Sequence, residues 1–333
     1  MVRSKIAQIS AYVPERVVDN REVETRINRR HRLLARGALE KLFGIRERRF
    51  AAPEEQVSDL ACAAARPIVE RWGKQHIDLL IFAAASADLI EPATANIVQD
   101  KLGLHCPALD LKNACNSFVT AIQAASAYIQ SGLYQRVLIV NGEKLSDAIN
   151  FELSDERQLK RSLAAFSLGD AGAAALVTAA ETEETAGIYY QKFLTVGKHW
   201  PLCTIEGGGS RHPHDPSKLY FEGQTVALKE AMREESQRFV RASLRESPWS
   251  TEEVDHWFTH QVSTQSFQYI SEGTGLDLAK STSIFEHYGN TAAASIPLAM
   301  HCAERRGKLG PGDKIALIGL AAGISASVQL LVW

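Results

Sequence analysis

Cys115 sits where an apolar, strand-like run ends and a helical pattern begins, in Leu109-Asp110-Leu111-Lys112-Asn113-Ala114-Cys115-Asn116-Ser117-Phe118. A thiol at such a junction faces the unpaired backbone N–H groups and the positive end of the helix dipole, which favour the thiolate over the thiol. That is the setting of a nucleophile, although a buried structural cysteine is the commonest fate of a free thiol. Two later segments carry further polar chemistry. In Trp257-Phe258-Thr259-His260-Gln261-Val262-Ser263 a histidine lies at a strand-to-helix junction. In Phe285-Glu286-His287-Tyr288-Gly289-Asn290-Thr291-Ala292-Ala293-Ala294-Ser295-Ile296-Pro297, Gly289 gives a tight turn, Asn290 takes the cap position and small residues let the helix pack closely. Taken singly, His260 reads as a satisfied core histidine and Asn290 as an ordinary helix cap.

Such residues need rigid elements beneath them, and the hydrophobic pattern supplies them. Residues 79–85 (LLIFAAA) read as a buried strand, 107–111 and 137–141 as two more, and 173–178 as a fourth. Between the second and third lies a helix whose apolar positions Phe118, Ile122, Ala125 and Ile129 step by four, three and four, and which ends near Gly132. Another helix is expected from about Ser58 to Trp72. The second half repeats the scheme, with strands at 188–196 and 254–262, a long charged amphipathic helix at 225–244 and a short helix at 263–273. An Ala-rich helix at 291–305 and a strand pair at 314–319 and 325–333, around Ala321-Ala322-Gly323, complete it. Strands alternating with helices predict an α/β protein with buried, mixed sheets in two halves, 1–180 with the cysteine and 181–333 with the histidine and asparagine. The duplication rests on element order, since no residue-level repeat is visible.

The whole-chain properties exclude several classes. A net charge of −2, from 37 Lys and Arg against 39 Asp and Glu, provides no global field for nucleic acid. The five cysteines (Cys62, Cys106, Cys115, Cys203, Cys302) are odd in number and widely spaced, with no C-x-x-C pair to suggest zinc or a redox dithiol, the usage of a reducing compartment. The first residues lack the apolar run of a signal peptide and no apolar stretch approaches the roughly 20 residues of a membrane span, so a cytoplasmic protein is expected.

Taken together, the three polar segments resemble the condensing enzymes of the thiolase superfamily, above all the β-ketoacyl-ACP synthase III type. The likeness extends over Gly44-Ile45-Arg46-Glu47-Arg48, Asp110 through Cys115, Ser167-Leu168-Gly169-Asp170-Ala171-Gly172-Ala173-Ala174, His260-Gln261, the string from Gly289 to Pro297 and Gly319-Leu320-Ala321-Ala322-Gly323. It implies the thiolase fold, two βαβαβ-type halves stacked as α-β-α-β-α layers, in a homodimer with no permanently bound cofactor and no metal. It also implies roles. Cys115 would take an acyl group from a CoA or phosphopantetheine thioester, with the carbonyl oxygen held by the backbone N–H groups of Cys115 and, by position, Ala322. His260 and Asn290 would then stabilise the enolate of a second thioester during carbon–carbon bond formation, the partners being acyl-CoA or acyl carrier protein. Relatives with an acid at the place of Asn290 tend to transfer the acyl group to oxygen or nitrogen instead.

The stretch Asp88-Leu89-Ile90-Glu91-Pro92-Ala93-Thr94-Ala95 departs from the ordinary synthase III pattern, in which this loop tip is apolar, reaches the partner's acyl pocket and works with a malonyl group that decarboxylates. An alkyl thioester has no carboxylate to lose, so its α-proton needs a base, and a glutamate in an apolar pocket suits that work. Glu91 therefore resembles the branch that joins two acyl chains, including the head-to-head acyl-CoA condensing enzyme of olefin biosynthesis and the α-pyrone-forming ketosynthases. Ahead of Gly44, Ala38, Lys41, Leu42 and Phe43 replace the residues that usually hold the CoA adenine, and Gln265 replaces a basic residue at the carrier-protein entrance. Arg29, Arg30, Arg32, Arg36 and Lys41 form either a basic surface for phosphopantetheine or an acidic carrier, or a solvated helix face. The rival readings are a decarboxylative synthase III using malonyl carrier protein, a catalytically dead subunit of a heterodimer, and a papain-like cysteine hydrolase. The last lacks the signature around its cysteine.

Overall fold

The structure, a computed structural model, describes residues 3–28, 33–181 and 185–333. Alanine-, valine-, leucine- and isoleucine-rich runs buried on both faces form the central strands, as the pattern predicts for sheets covered on both sides. In the first half, β1 (Ser4–Tyr12), β2 (Leu79–Ala83), β3 (Ala108–Leu111), β4 (Arg136–Glu143) and β5 (Ala171–Ala179) form one sheet in the order β1-β5-β4-β2-β3. The pairs β1–β5 and β5–β4 are antiparallel, and β4–β2 and β2–β3 are parallel. In the second half, β6 (Gly187–Thr195), β7 (His256–Thr259), β8 (Lys314–Ala321) and β9 (Ser325–Val332) form a sheet in the order β7-β8-β9-β6. Here only β7–β8 is parallel. The mixed sheets agree with the expected fold class.

Three layers of helix enclose and separate the sheets. On the outer side of the first sheet, α1 (Val57–Trp72) and α2 (Thr94–Leu102) bury Ile68 and Val98 against Phe82 and Val140. Between the sheets lie α3 (Ser117–Gln130) and α6 (Ser295–Arg305), whose Phe118, Ile122, Ile296 and Met300 share one core with Ile81 and Ile139 of one sheet and Leu317 and Leu331 of the other. On the far side, α4 (Arg238–Arg245) and α5 (Thr264–Thr274) pack Leu244 and Phe267 on Trp257 and Ile318. The expected long helix is one continuous run of α-helix Thr225–Ala231, π-helix Met232–Gln237 and α4.

Two expectations need correction. The strand expected at 254–262 ends at Thr259, because Gln261 is buried and turns aside to donate from Nε2 to Thr282 O at 2.8 Å and accept from Ile284 N–H at 2.8 Å. The helix expected at 291–305 opens with a 3-10 turn, Ala292–Ala294, since Ala292 has φ +46°, outside the helical region.

Candidate active site

The turn that carries Cys115 is strained and densely tied. Ala114 has φ +47°, which a residue with a Cβ rarely adopts. It is over-determined by its neighbours: Asn116 N–H donates to Asn113 O at 3.0 Å, the Ser117 hydroxyl donates to Ala114 O at 2.6 Å, and Asn113 N–H donates to Ser117 Oγ at 2.8 Å. The same turn is bonded across to the second half. Asn113 Nδ2 and Asn116 Nδ2 each donate to Ser325 Oγ at 3.0 Å, and Ser327 Oγ donates to Asn116 Oδ1 at 2.9 Å. A Cβ on Gly319 would stand 1.8 Å from Asn116 Oδ1, so only glycine admits this contact. The linkage holds Cys115 beside the connection between β8 and β9, where Ala322 is half-buried and Gly323 (φ +81°) and Ile324 (φ +41°) make the turn.

The segment 290–295 gathers the other two residues. Asn290 is buried and its backbone is clamped, its N–H donating to Ser167 O at 2.7 Å and its carbonyl accepting from Gly169 N–H at 3.0 Å. Its side-chain oxygen accepts from Ala292 N–H at 3.0 Å, which leaves the amide NH2 as the free end. Ala292 packs in the same apolar cluster as Cys115, and its backbone is also a hydrogen-bond partner of the buried His260 ring. The Ser295 hydroxyl lies 3.2 Å from His260 Nδ1 and 3.3 Å from Thr291 Oγ1. His260 and Asn290 thus meet at the 290–295 segment, and Cys115, more than one hundred residues earlier in sequence, packs in the same apolar cluster as its Ala292.

Electrostatics correct one expectation. Burial pushes the Cys115 thiol well up, the Glu143 carboxylate and Cys203 act in the same sense, and only a hydrogen bond from its own backbone opposes them. The helix starts at Ser117, beyond the cysteine, and desolvation of a charged sulfur outweighs its field, so Cys115 rests as the thiol. Burial also pushes His260 down to about 4, so the ring is neutral at ordinary pH. Its native pKa lies below the ordinary value, so between those two values the unfolded chain binds a proton that the native ring refuses. This contribution to stability is therefore present above the ordinary histidine pKa and is lost as pH falls towards the native one. Urea unfolding near pH 7 and about pH 4.5 should show wild type losing roughly 2 to 3 kcal/mol more than His260→Gln. Equal losses would mean that the native ring is charged in that range.

Glu91 lies elsewhere on the chain surface. It is exposed on the loop between β2 and α2 beside exposed Leu89 (52%) and Ile90 (82%), and none of the described hydrogen bonds or ion pairs joins it to Cys115, His260 or Asn290. The ends of the loop are fixed. Asp88 accepts from Ser58 N–H (2.9 Å) and the Ser58 hydroxyl (2.5 Å), and Asp110 accepts from Thr94 N–H (2.9 Å) and Ala95 N–H (2.7 Å). Glu143 accepts from Ala85 and Ser86, just past β2. The sequence reading did not single out Glu143 or Ser295; a glutamate closing an apolar strand and a serine inside the 289–297 string were their only signals. Of the basic cluster, Arg36 and Lys41 are exposed, while Arg29, Arg30 and Arg32 lie outside the described residues. Gln265 is exposed on α5. Among the described residues there is no metal-holding cluster, and no helix is long and apolar enough to cross a membrane.

Comparison with known proteins places this geometry among characterised folds. Residues 109–195 match the family model for 3-oxoacyl-(acyl-carrier-protein) synthase III, and residues 244–333 match that for its C-terminal part. A β-ketoacyl-(acyl-carrier-protein) synthase III of Desulfitobacterium hafniense is 30% identical, covering 100% of this chain and 98% of the relative. An acyl-CoA:acyl-CoA alkyltransferase of Xanthomonas campestris is 32% identical, covering 87% of this chain and 86% of the relative. The crystal structure of a Xanthomonas campestris OleA variant with bound lauric acid and lauroyl-CoA superposes with a TM-score of 0.89 at 27% identity, covering 99% of both chains. The synthase III of Aquifex aeolicus gives 0.86 at 26%, covering 99% of this chain and 100% of the other.

Proposed function

Because this chain belongs to the synthase III family of thiolase-fold condensing acyltransferases, we propose that it joins two acyl thioesters by a non-decarboxylative Claisen condensation, with Cys115 as nucleophile and Glu91 as base. The observation that carries this reading is a carboxylate at an exposed loop tip whose two ends are held by Asp88 and Asp110. A base fixed in this way suits substrates that have no carboxylate to lose. The likeness to the Xanthomonas campestris alkyltransferase and to OleA with lauroyl-CoA supports acyl-CoA substrates.

In the first step Cys115 sulfur attacks the thioester carbonyl, the carbon–sulfur bond to the departing group breaks, and the thiol proton passes to that group, which leaves as free thiol. Backbone N–H groups of Cys115 and Ala322 hold the oxyanion. In the second step Glu91 takes the α-proton of another acyl thioester, and the Asn290 amide and His260 ring hold the enolate oxygen. The enolate carbon attacks the acyl carbonyl on Cys115, and collapse expels the Cys115 thiolate, which recovers the proton from Glu91. The product is a β-keto thioester carrying both chains. The exposed Leu89 and Ile90 flank Glu91 and fit a second copy of this chain, whose Cys115 would meet this carboxylate. The halves 1–180 and 181–333 are proposed as the two structural units, meeting at the site.

The test is incubation of pure protein with an acyl-CoA series, with and without a malonyl thioester, and identification of products by mass. Products from acyl-CoA alone are expected; products only when malonyl thioester is present would establish the decarboxylative reaction instead. In the same assay His260→Ala and Asn290→Ala should still gain an acyl adduct but lose condensation by roughly two to three orders of magnitude, the usual loss on removing an oxyanion donor. Equal loss of both steps would refute the division of labour.

A further inference from the structure

Glu143 closes β4, is fully buried, acts on Cys115 through its charge and has no part in the reaction scheme above. Its oxygens are fully occupied by donors. Oε1 accepts from Ala85 N–H at 2.8 Å and Asn141 Nδ2 at 3.4 Å, and Oε2 accepts from Ser86 N–H at 3.1 Å and the Ser86 hydroxyl at 2.7 Å. A buried charge with no cation beside it persists only when its lone pairs are satisfied in this way. Every partner is a donor, so an amide would turn its own NH2 against at least one of them. Three of the four bonds go to Ala85 and Ser86, where the chain leaves the sheet and starts the loop to Glu91. Asp88 and Asp110 fix the remainder, so the tip inherits its position from these three carboxylates.

We propose that Glu143 is the positioning residue of the Glu91 loop, its carboxylate fixing the inner foot and thereby the place at which the base meets a partner copy's substrate. This rests on the reading of Glu91 as base. A misplacement of about 1 Å in a reacting group is enough to lose roughly a hundredfold in rate, and the Ser86 bonds are what tie the inner foot of the loop to Glu143.

The experiment compares Glu143→Gln, Ser86→Ala and Glu91→Gln for acylation of Cys115, followed by intact-protein mass, and for joining of two acyl-CoA molecules. Glu143→Gln is expected to acquire its adduct at least as fast as wild type, since loss of the charge that pushes the Cys115 thiol up favours the thiolate, while condensation falls roughly a hundredfold. Ser86→Ala, which removes one bond from the loop side and leaves the core intact, should lose condensation by about three- to tenfold. Mixed dimers separate positioning from general damage. When Glu91→Gln and Cys115→Ala chains are combined, adding Glu143→Gln to the Cys115→Ala chain should abolish the restored activity, and adding it to the Glu91→Gln chain should spare it. Acylation and condensation falling together, or equal effects in either chain, would overturn the proposal. Loss in Glu91→Gln with full activity in both Glu143→Gln and Ser86→Ala sinks the positioning role alone. Full activity in Glu91→Gln sinks the base and this role with it.

Discussion

Cys115→Ala should fold, bind thioester and form no acyl adduct. The turn around Cys115 is held by Asn113, Asn116 and Ser117, and the Cys115 sulfur takes only a hydrogen bond from its own backbone. Removing it therefore deletes the nucleophile and leaves the surrounding geometry in place. Intact-protein mass after brief exposure to acyl-CoA should show one added acyl group on wild type and none on the variant. Condensation should fall by several orders of magnitude, the scale seen when a covalent nucleophile is lost. Because Cys115 rests as a half-buried thiol, alkylation by iodoacetamide should also be slow near neutral pH and rise with increasing pH. An adduct of undiminished yield on Cys115→Ala would transfer the nucleophilic role to another residue.

Glu91→Gln should give the second largest effect and on a different step. Glutamine keeps the shape and the hydrogen-bonding capacity of the loop tip but cannot accept an α-proton, so Cys115 should still be acylated while the joining of two plain acyl thioesters stops. If the carboxylate works across a dimer, mixing Glu91→Gln with Cys115→Ala brings both wild-type residues together at one site of each mixed pair. Random exchange at equal concentrations should then restore about a quarter of wild-type activity, since half of the pairs are mixed and each holds one complete site. Two inactive parents that stay inactive after verified subunit exchange would place Glu91 and Cys115 within one chain's site or exclude Glu91 from it.

Much of the fold was legible because its signals are local. The run at 79–85 is apolar throughout, and the steps between Phe118 and Ile129 follow one face of a helix; the second became the expected helix and the first a strand that stops at Ala83, two residues early. The segments around Cys115, His260 and Asn290 were legible as strings of residue types. The state of the thiol was not, since it depends on desolvation in the folded chain and on Glu143 and Cys203, farther along the sequence. Nor was the break at Ala292: three alanines favour a helix by propensity, and the clamp on Asn290 from Ser167 and Gly169 overrides it. Glu143 escaped because a charged residue after an apolar strand ordinarily faces water, whereas here the loop that follows β2 folds over it.

The bonds from Asn113 and Asn116 to Ser325 and Ser327 have a consequence for biosynthesis. Ser325 follows Asn113 by 212 residues, and β9, which begins with it, is enclosed between β8 and β6. A nascent chain therefore exposes Cys115 long before the strand that shapes its turn has emerged from the ribosome. During that interval the strained backbone at Ala114 has only its local bonds within 113–117, without those to Ser325 and Ser327, so the turn that positions the sulfur is incomplete. The turn is completed only when β9 is in place, and a chain released early carries the sulfur without the contacts that position it.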